Sequence, residues 1–432
     1  MGRKALQLFD YQKTGAAFLA ARKHALLGDK MGLGKTAQAI EAANISGARR
    51  MAVVCPAIAK INWQREVEAW AFYGLELRVE SYNKLATDKD LRNRWAAWRP
   101  DVLVVDEAHY LKSPDSSRTK SIYGPYCRNN GLAGCAGAVW GLSGTLTPNN
   151  AAELYPHLRA LFPEALPGGG TYADFLNTYT RYETGAHGVK VLGHKNLKDL
   201  RAAIAPYLLR RVTEEVLPDL PRVFVSDMPV DGGKALDAVK RLEDSVEVQE
   251  LVYRLEEGAP IPDADPHIAS FRKICGLAKA EAVAESVADM LENDQVDKIV
   301  LFAYHREVIQ ILRDKLAKYS PAHVWGGDTD AKRQQAIDDF QNKPQTRVFI
   351  GQITACATAV TLTAAHHCVF VETSWVPSDN EQAIYRLRRI GQKSQIMVRI
   401  AHLDKSIDEA IQKTVARKVR GLLQLYGETN EQ

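Results

Sequence analysis

Asp29-Lys30-Met31-Gly32-Leu33-Gly34-Lys35-Thr36 reads as a loop shaped for nucleotide phosphates, running into a helical Ala37-Gln38-Ala39-Ile40. Gly32 and Gly34 let backbone N–H groups come close to phosphate oxygens, Lys35 meets the β/γ charge, and the Thr36 hydroxyl suits Mg²⁺. The N-terminus of the helix that follows favours an anion as well. Asp29 stands where the strict Gly-x-x-x-x-Gly-Lys-Thr pattern has its first glycine, so the match is incomplete.

Around this loop the first 150 residues alternate apolar runs with helical patterns, which points to a parallel α/β sheet. Met51-Ala52-Val53-Val54-Cys55 is a buried strand stopped by Pro56, and Val102-Leu103-Val104-Val105 is stopped by Asp106-Glu107. Ala138-Val139-Trp140 runs into Ser143-Gly144-Thr145. Residues 151–216 read as a helical insert interrupted by Gly168-Gly169-Gly170, and the proline-bearing stretch 217–233 reads as a linker. Helical segments over 234–257 and 270–293 flank an acidic, proline-rich loop from Pro260 to Pro266. Alternation returns with strands at Ile299 to Ala303, Val348 to Ile350, Cys368 to Val371 and Ile396 to Ile400. Ser406-Ile407-Asp408-Glu409 opens the last helix with a capping-box pattern. The expected architecture is two α/β lobes with helical insertions: 1–220 with an insert at 151–216, and 221–432 with a linker and an insert at 234–295.

Composition agrees with such a chain. At 432 residues it is too long for one ordinary core, and 46% hydrophobic with 25% charged residues is usual for a globular protein. No apolar run nears the roughly 20 residues that span a bilayer, and Met1 to Gln7 lacks the apolar stretch of a signal peptide. The six cysteines form no Cys-x-x-Cys pair, so neither zinc nor a disulfide framework is implied. A net charge of +4 does not by itself announce nucleic acid, although basic residues crowd the segment from Arg386 to Arg420.

Two further groups carry chemistry. Asp106-Glu107-Ala108-His109 follows an apolar strand, where an acidic pair can reach a metal: Asp106 to hold Mg²⁺, Glu107 to polarise the attacking water. Arg386 and Arg389, at i and i+3 on one face of a predicted helix, suit the charge of a transferring phosphoryl group. They lie about 350 residues from the phosphate loop, so a single ATP site built from all of them needs two lobes that close. His366-His367 has no third ligand nearby, and Trp63, Trp70, Trp95 and Trp98 read as core rather than as base-stacking residues.

With these residues in view the chain resembles the Swi/Snf-type DNA translocases of helicase superfamily two over nearly its whole length. Gln12 after Phe9-Asp10-Tyr11 is similar to their adenine-reading glutamine, and residues 29–36 to their first motif. Cys55-Pro56 with Trp63, Glu66 and Trp70, Asp106 to His109 with Lys112, and Leu142-Ser143-Gly144-Thr145 with Pro148-Asn149 and Glu153-Leu154 resemble the next three. Leu209-Arg210-Arg211 and Val216-Leu217-Pro218 resemble the exit from the first lobe. Gly326-Gly327, Arg333 and Phe340-Gln341 are similar to the middle of the second lobe, and Trp375, Pro377, Gln382-Ala383, Arg386 and Arg389-Ile390-Gly391-Gln392 to the last motif. Gly276-Leu277-Ala278-Lys279 leans toward the HepA-related annealing helicases.

The resemblance implies two RecA-like lobes of P-loop NTPase type and an ATP-dependent, Mg²⁺-requiring translocase on double-stranded or branched DNA. Gln12, Gly32, Gly34, Lys35 and Thr36 would bind nucleotide, Thr36 and Asp106 the metal, and Lys35, Asp106, Glu107, Arg386 and Arg389 would act in hydrolysis. Little sequence specificity, no membrane and a monomer are expected, in bacterial or phage cytoplasm, or in a nucleus if the source is eukaryotic. Departures from the family pattern are Lys30 for an acid, Leu146 for a proline, Cys356, Ala357 and Ala359 at glycine places, and Arg388 for a histidine. Two alternatives stay open: an RNA helicase, and a DNA-binding module with an impaired ATPase.

Overall fold

The computed structural model describes residues 7–72, 74–144, 146, 150–185, 188–243, 245–257, 266–356 and 360–425. Thr145, Pro148, Asn149, residues 260–265, Ala357 and Ala359 lie outside them. The chain divides into two compact units, Met1–Val216 and Leu217–Gln432.

The first unit is built on six parallel strands: β1 (His24–Leu27), β2 (Arg50–Cys55), β3 (Glu76–Ser81), β4 (Val102–Asp106), β5 (Ala138–Leu142) and an edge strand, Leu208–Leu209. Their order is β3-β2-β4-β5-β1 followed by that edge strand. Met51 to Val54 lie opposite Val102 to Val105, and Asp106 lies opposite Leu142. Central strands of such a sheet are covered on both faces, so they are apolar at every position rather than alternately; Met51 to Cys55 and Val102 to Val105 are all buried. Leu26, Val54, Tyr82, Trp95, Val105, Phe162 and Phe175 belong to one core cluster.

The insert expected as helical over 151–216 contains strands as well. Thr180–Gly185 (β6) and Gly188–His194 (β7) form an antiparallel hairpin with an irregularity between Arg181 and Tyr182. The two-residue edge strand, β8, pairs with Leu26 and Leu27 of β1. Neither has the apolar run of a buried strand. The hairpin exposes Val189 and Leu192, and β8 needs only two residues to finish an edge.

In the second unit the stretch read as a linker holds an eight-residue strand, β9 (Val223–Val230). It pairs in parallel along its whole length with the last strand, from Val223 opposite Ile396 to Val230 opposite Leu403. Pro229 cannot donate to a ladder, but β9 is the edge of this sheet, where proline is tolerated. The remaining strands are β10 (Ile299–Ala303), β11 (Ala322–Val324), β12 (Val348–Gln352), β13 (His367–Phe370) and β14 (Ile396–Leu403), ordered β11-β12-β10-β13-β14-β9 and all parallel.

A 27-residue helix, Pro266–Glu292, carries Lys279 into the interior, where its ammonium lies 3.0 Å from Asp408. The last helix, Ile407–Leu425, is not opened by the capping box its sequence suggests. The Ser406 hydroxyl donates to Leu403 O, and Glu409 accepts from Lys405 N instead of Ser406 N. Among the described residues no helix is long and apolar enough to cross a membrane.

Candidate active site

Because β4, β5 and β1 are parallel neighbours, their carboxyl ends lie side by side, the usual ligand-binding edge of an α/β sheet. The phosphate loop leaves β1, the acid pair closes β4, and Ser143 follows β5. Gly32 (φ 87°) and Gly34 (φ 70°) adopt the left-handed conformation that glycine takes without strain. Gly34 is also the N-cap of the helix Lys35–Ser46, so the loop passes directly into a helix N-terminus. Lys35 Nζ donates to Asp29 O at 2.8 Å and to Lys30 O at 3.4 Å, which folds the ammonium over its own loop. A Cβ on Gly144 would sit 3.0 Å from Met31 Cγ, so the segment after β5 packs against the loop.

Gln12 is buried in the helix Asp10–Ala20. Its Nε2 donates to Leu33 O at 3.3 Å, its Oε1 accepts from Phe9 N at 3.0 Å, and the Tyr11 hydroxyl also donates to Leu33 O. The glutamine is thereby fixed against the phosphate loop.

At the end of β4 the two carboxylates are held differently. Asp106 Oδ2 accepts the Trp63 indole N–H at 2.8 Å, and its Oδ1 accepts Glu107 N at 3.0 Å. Glu107 is in the left-handed region (φ 51°), which turns its side chain away from the strand direction. Burial, and then the Glu107 carboxylate, push Asp106 up to about 7, against the pull of the Trp63 bond and the Lys35 charge. His109 Nδ1 lies 3.0 Å from Ser143 Oγ and 3.3 Å from Glu107 Oε2. Burial holds its pKa below the ordinary value, so it is neutral at pH 7 and joins the acid pair to the segment after β5. Lys112 pairs with Glu153 at 3.2 Å.

The arginines of the second unit are not on a helix. The helix Pro377–Ile384 ends before them, with Tyr385 as its C-cap, and Arg386 and Arg389 occupy the turns that follow. Each is anchored alike, its Nε donating to the carbonyl four residues earlier: Arg386 to Gln382 O at 3.1 Å, Arg389 to Tyr385 O at 3.2 Å. Arg389 Nη1 also donates to Thr361 Oγ1 at 2.7 Å, and Leu362 N donates to Arg386 O at 2.8 Å. Arg388, in the family's histidine place, donates from Nε to Pro221 O at 2.8 Å.

Among the described residues no group of three or more His, Cys, Asp or Glu could hold a metal ion. His367 Nδ1 instead meets Arg399 Nη1 at 3.1 Å, and burial with His366 and Arg399 lowers its pKa to about 4.

A model of the SNF2-related domain matches residues 11–78 and 72–227, just over half of the chain, and one of the helicase conserved C-terminal domain matches 279–391. The chain belongs to the SNF2-related family. It is similar to the mouse "DNA annealing helicase and endonuclease ZRANB3", 28% identical over 96% of this chain and 40% of that protein. The Xenopus tropicalis "SWI/SNF-related matrix-associated actin-dependent regulator of chromatin subfamily A-like protein 1" is 27% identical over 96% of this chain and 44% of its own length. The chain thus spans less than half of these relatives. A solved structure, the "Sulfolobus solfataricus SWI2/SNF2 ATPase core in complex with dsDNA", aligns with 98% of this chain and 96% of its own at 20% identity and a TM-score of 0.43.

In this SNF2-related chain several supporting residues escaped the sequence reading. Trp63 is core, as expected, but its indole N–H is aimed at Asp106; an apolar side chain with one polar tip leaves no sign of its target. The Tyr82 hydroxyl donates to Asp106 O at 2.6 Å, steadying the end of β4 from the next strand connection. Gln392, noted only as a motif ending, is a buried staple. Its Nε2 donates to Thr363, Ala365 and Leu387 carbonyls and its Oε1 accepts Lys393 and Ser394 N–H groups.

Proposed function

We propose that this chain is the motor core of an ATP-dependent translocase acting on double-stranded DNA. The observation that carries the reading is the phosphate loop and the Asp106–Glu107 pair on the carboxyl edge of one parallel sheet, at the ends of β1 and β4 on either side of β5. Lys35, freed from the loop carbonyls it now contacts, would take the β/γ-phosphate charge, and Gln12 would face the adenine side. Glu107 would orient a water whose oxygen bonds to the γ-phosphorus as the bridging oxygen leaves with ADP. Arg386 and Arg389 would offset charge on the transferring group.

The residues present fit Mg²⁺. Burial, and then the Glu107 carboxylate, outweigh the Lys35 charge and hold Asp106 near 7, a carboxyl that a divalent cation would stabilise as its anion. Mg²⁺ in nucleotide sites is held by one or two protein oxygens, phosphates and waters, not by a protein cage. Asp106 and the Thr36 hydroxyl are the candidates, and the ion would neutralise charge on the phosphates.

Similarity to DNA-acting relatives, named above as an annealing helicase and a chromatin regulator, supports DNA as the track. Double-stranded or forked DNA is the proposed partner, gripped through phosphates with little base readout. An ATPase assay with duplex, single-stranded and forked DNA and with RNA tests this. Stimulation by duplex or forked DNA is expected. Stimulation by RNA alone would indicate an RNA helicase, and no turnover with saturating duplex would indicate a DNA-binding module.

A further inference from the structure

Asp29 is where the phosphate loop departs from the strict glycine pattern, and the proposed hydrolysis makes no use of its side chain. That side chain is fully buried, where a lone carboxylate would be costly. Its partner is Arg211, 182 residues further on: Nε donates to Oδ1 at 3.0 Å and Nη2 to Oδ2 at 2.5 Å. The same guanidinium reaches two other elements, through Nη2 to Gln38 Oε1 at 2.8 Å and through Nη1 to the Tyr11 carbonyl. Gln38 closes the ring, its Nε2 donating to Asp29 Oδ2 at 3.0 Å and to Leu33 O at 3.1 Å. Gly15 makes room for it, since a Cβ there would lie 1.8 Å from Gln38 Oε1 and 2.7 Å from Arg211 Nη2. The main chain runs alongside, with Gly28 N donating to Leu209 O and Lys30 N to Arg211 O.

We propose that Arg211 is a positioning residue for the nucleotide cradle. It holds three pieces in one arrangement: the phosphate loop through Asp29, the helix Lys35–Ser46 through Gln38, and the Gln12-bearing helix through the Tyr11 carbonyl. A planar, five-donor guanidinium can satisfy acceptors on all three at once; a lysine ammonium on a single point cannot. Asp29 occupies a glycine place because it is the loop's handle for this arginine. The inference rests on the reading of residues 29–36 as a nucleotide cradle.

The test uses the full chain, with ATP binding measured by titration and ATP turnover measured with saturating duplex DNA. Arg211→Lys keeps the charge beside Asp29, so the fold should persist while the KM for ATP and the dissociation constant rise on the order of tenfold. Turnover at saturating ATP should stay within about twofold, because the lost contact serves binding rather than the reacting bond. Asp29→Asn combined with Arg211→Met removes both charges and strands neither. It should melt close to the wild type and still show the raised KM. An Arg211→Lys variant with wild-type KM overturns the proposal, as does a double variant that regains both melting temperature and KM. Failure of the cradle reading looks different: the wild type itself binds no ATP, or Lys35→Ala binds it equally well.

Discussion

Glu107 and Asp106 share a strand end but answer to different tests. Glu107→Gln should lower turnover by at least about a hundredfold while ATP still binds, because the amide can orient a water but not take its proton; ATP titration beside steady-state hydrolysis checks both halves. Asp106 makes a pH prediction. Its folded value, about 7, lies above the ordinary 3.8, so between those values the folded chain keeps a proton that the unfolded chain releases. The stability that this proton confers is lost as pH rises toward and through 7. Without nucleotide or Mg²⁺, the melting temperature of Asp106→Asn relative to the wild type should therefore be higher at pH 8 than at pH 4, whatever constant cost the amide meets where it faces the Trp63 or Glu107 N–H. An equal difference at both pH values, followed by calorimetry, would contradict the assignment. Lys35, Thr36, Asp106 and Glu107 stand out as candidates in the sequence because phosphate and metal chemistry asks for those residue types in that order. The Arg211–Asp29 pair was not, since nothing local marks two residues 182 apart as partners.

At the scale of elements, the turns after the helix Pro377–Ile384 hold both arginines and are tied down by Gln392. Gln392→Ala would leave buried backbone groups unpaired, at about 1–3 kcal/mol each. It should lower the melting temperature of the second unit and reduce turnover together, since Leu387 and the 363–365 carbonyls frame the arginine turns. Calorimetry and ATPase rates on one preparation check this; a melting shift with unchanged turnover would separate the staple from the site. Arg386 and Arg389 invite a helix reading because i and i+3 share a helical face, but their backbone leaves the helix at Tyr385. Gly391, at φ 100°, supplies the left-handed turn that follows. Apolar strands such as β4 and β10 were plain in sequence because both their faces are buried. Edge elements were not: β8 is two residues long, β9 contains Pro229, and the β6–β7 hairpin lacks a strand's apolar run.

Across the whole molecule, two parallel sheets each hold candidate residues, the phosphate loop and acid pair in the first and the arginine turns in the second. Two α/β lobes and their most apolar strands could be read from apolar alternation, but β1 (His24–Leu27), β3 and β11, like the inserts, needed tertiary pairing to define. A DNA track held by phosphates entails counterion release, so duplex affinity should fall steeply and log-linearly between 50 and 200 mM salt, by about 10³ if six phosphates are contacted. Anisotropy titrations across that range measure the slope, and a flat response would rule out a backbone grip. The most direct measurement is ATP hydrolysis by the wild type and by Glu107→Gln, each with and without saturating duplex DNA. Hydrolysis raised strongly by duplex in the wild type and abolished in the variant is the expected result. Turnover indifferent to duplex DNA, or undiminished in Glu107→Gln, would contradict a DNA-driven ATP motor.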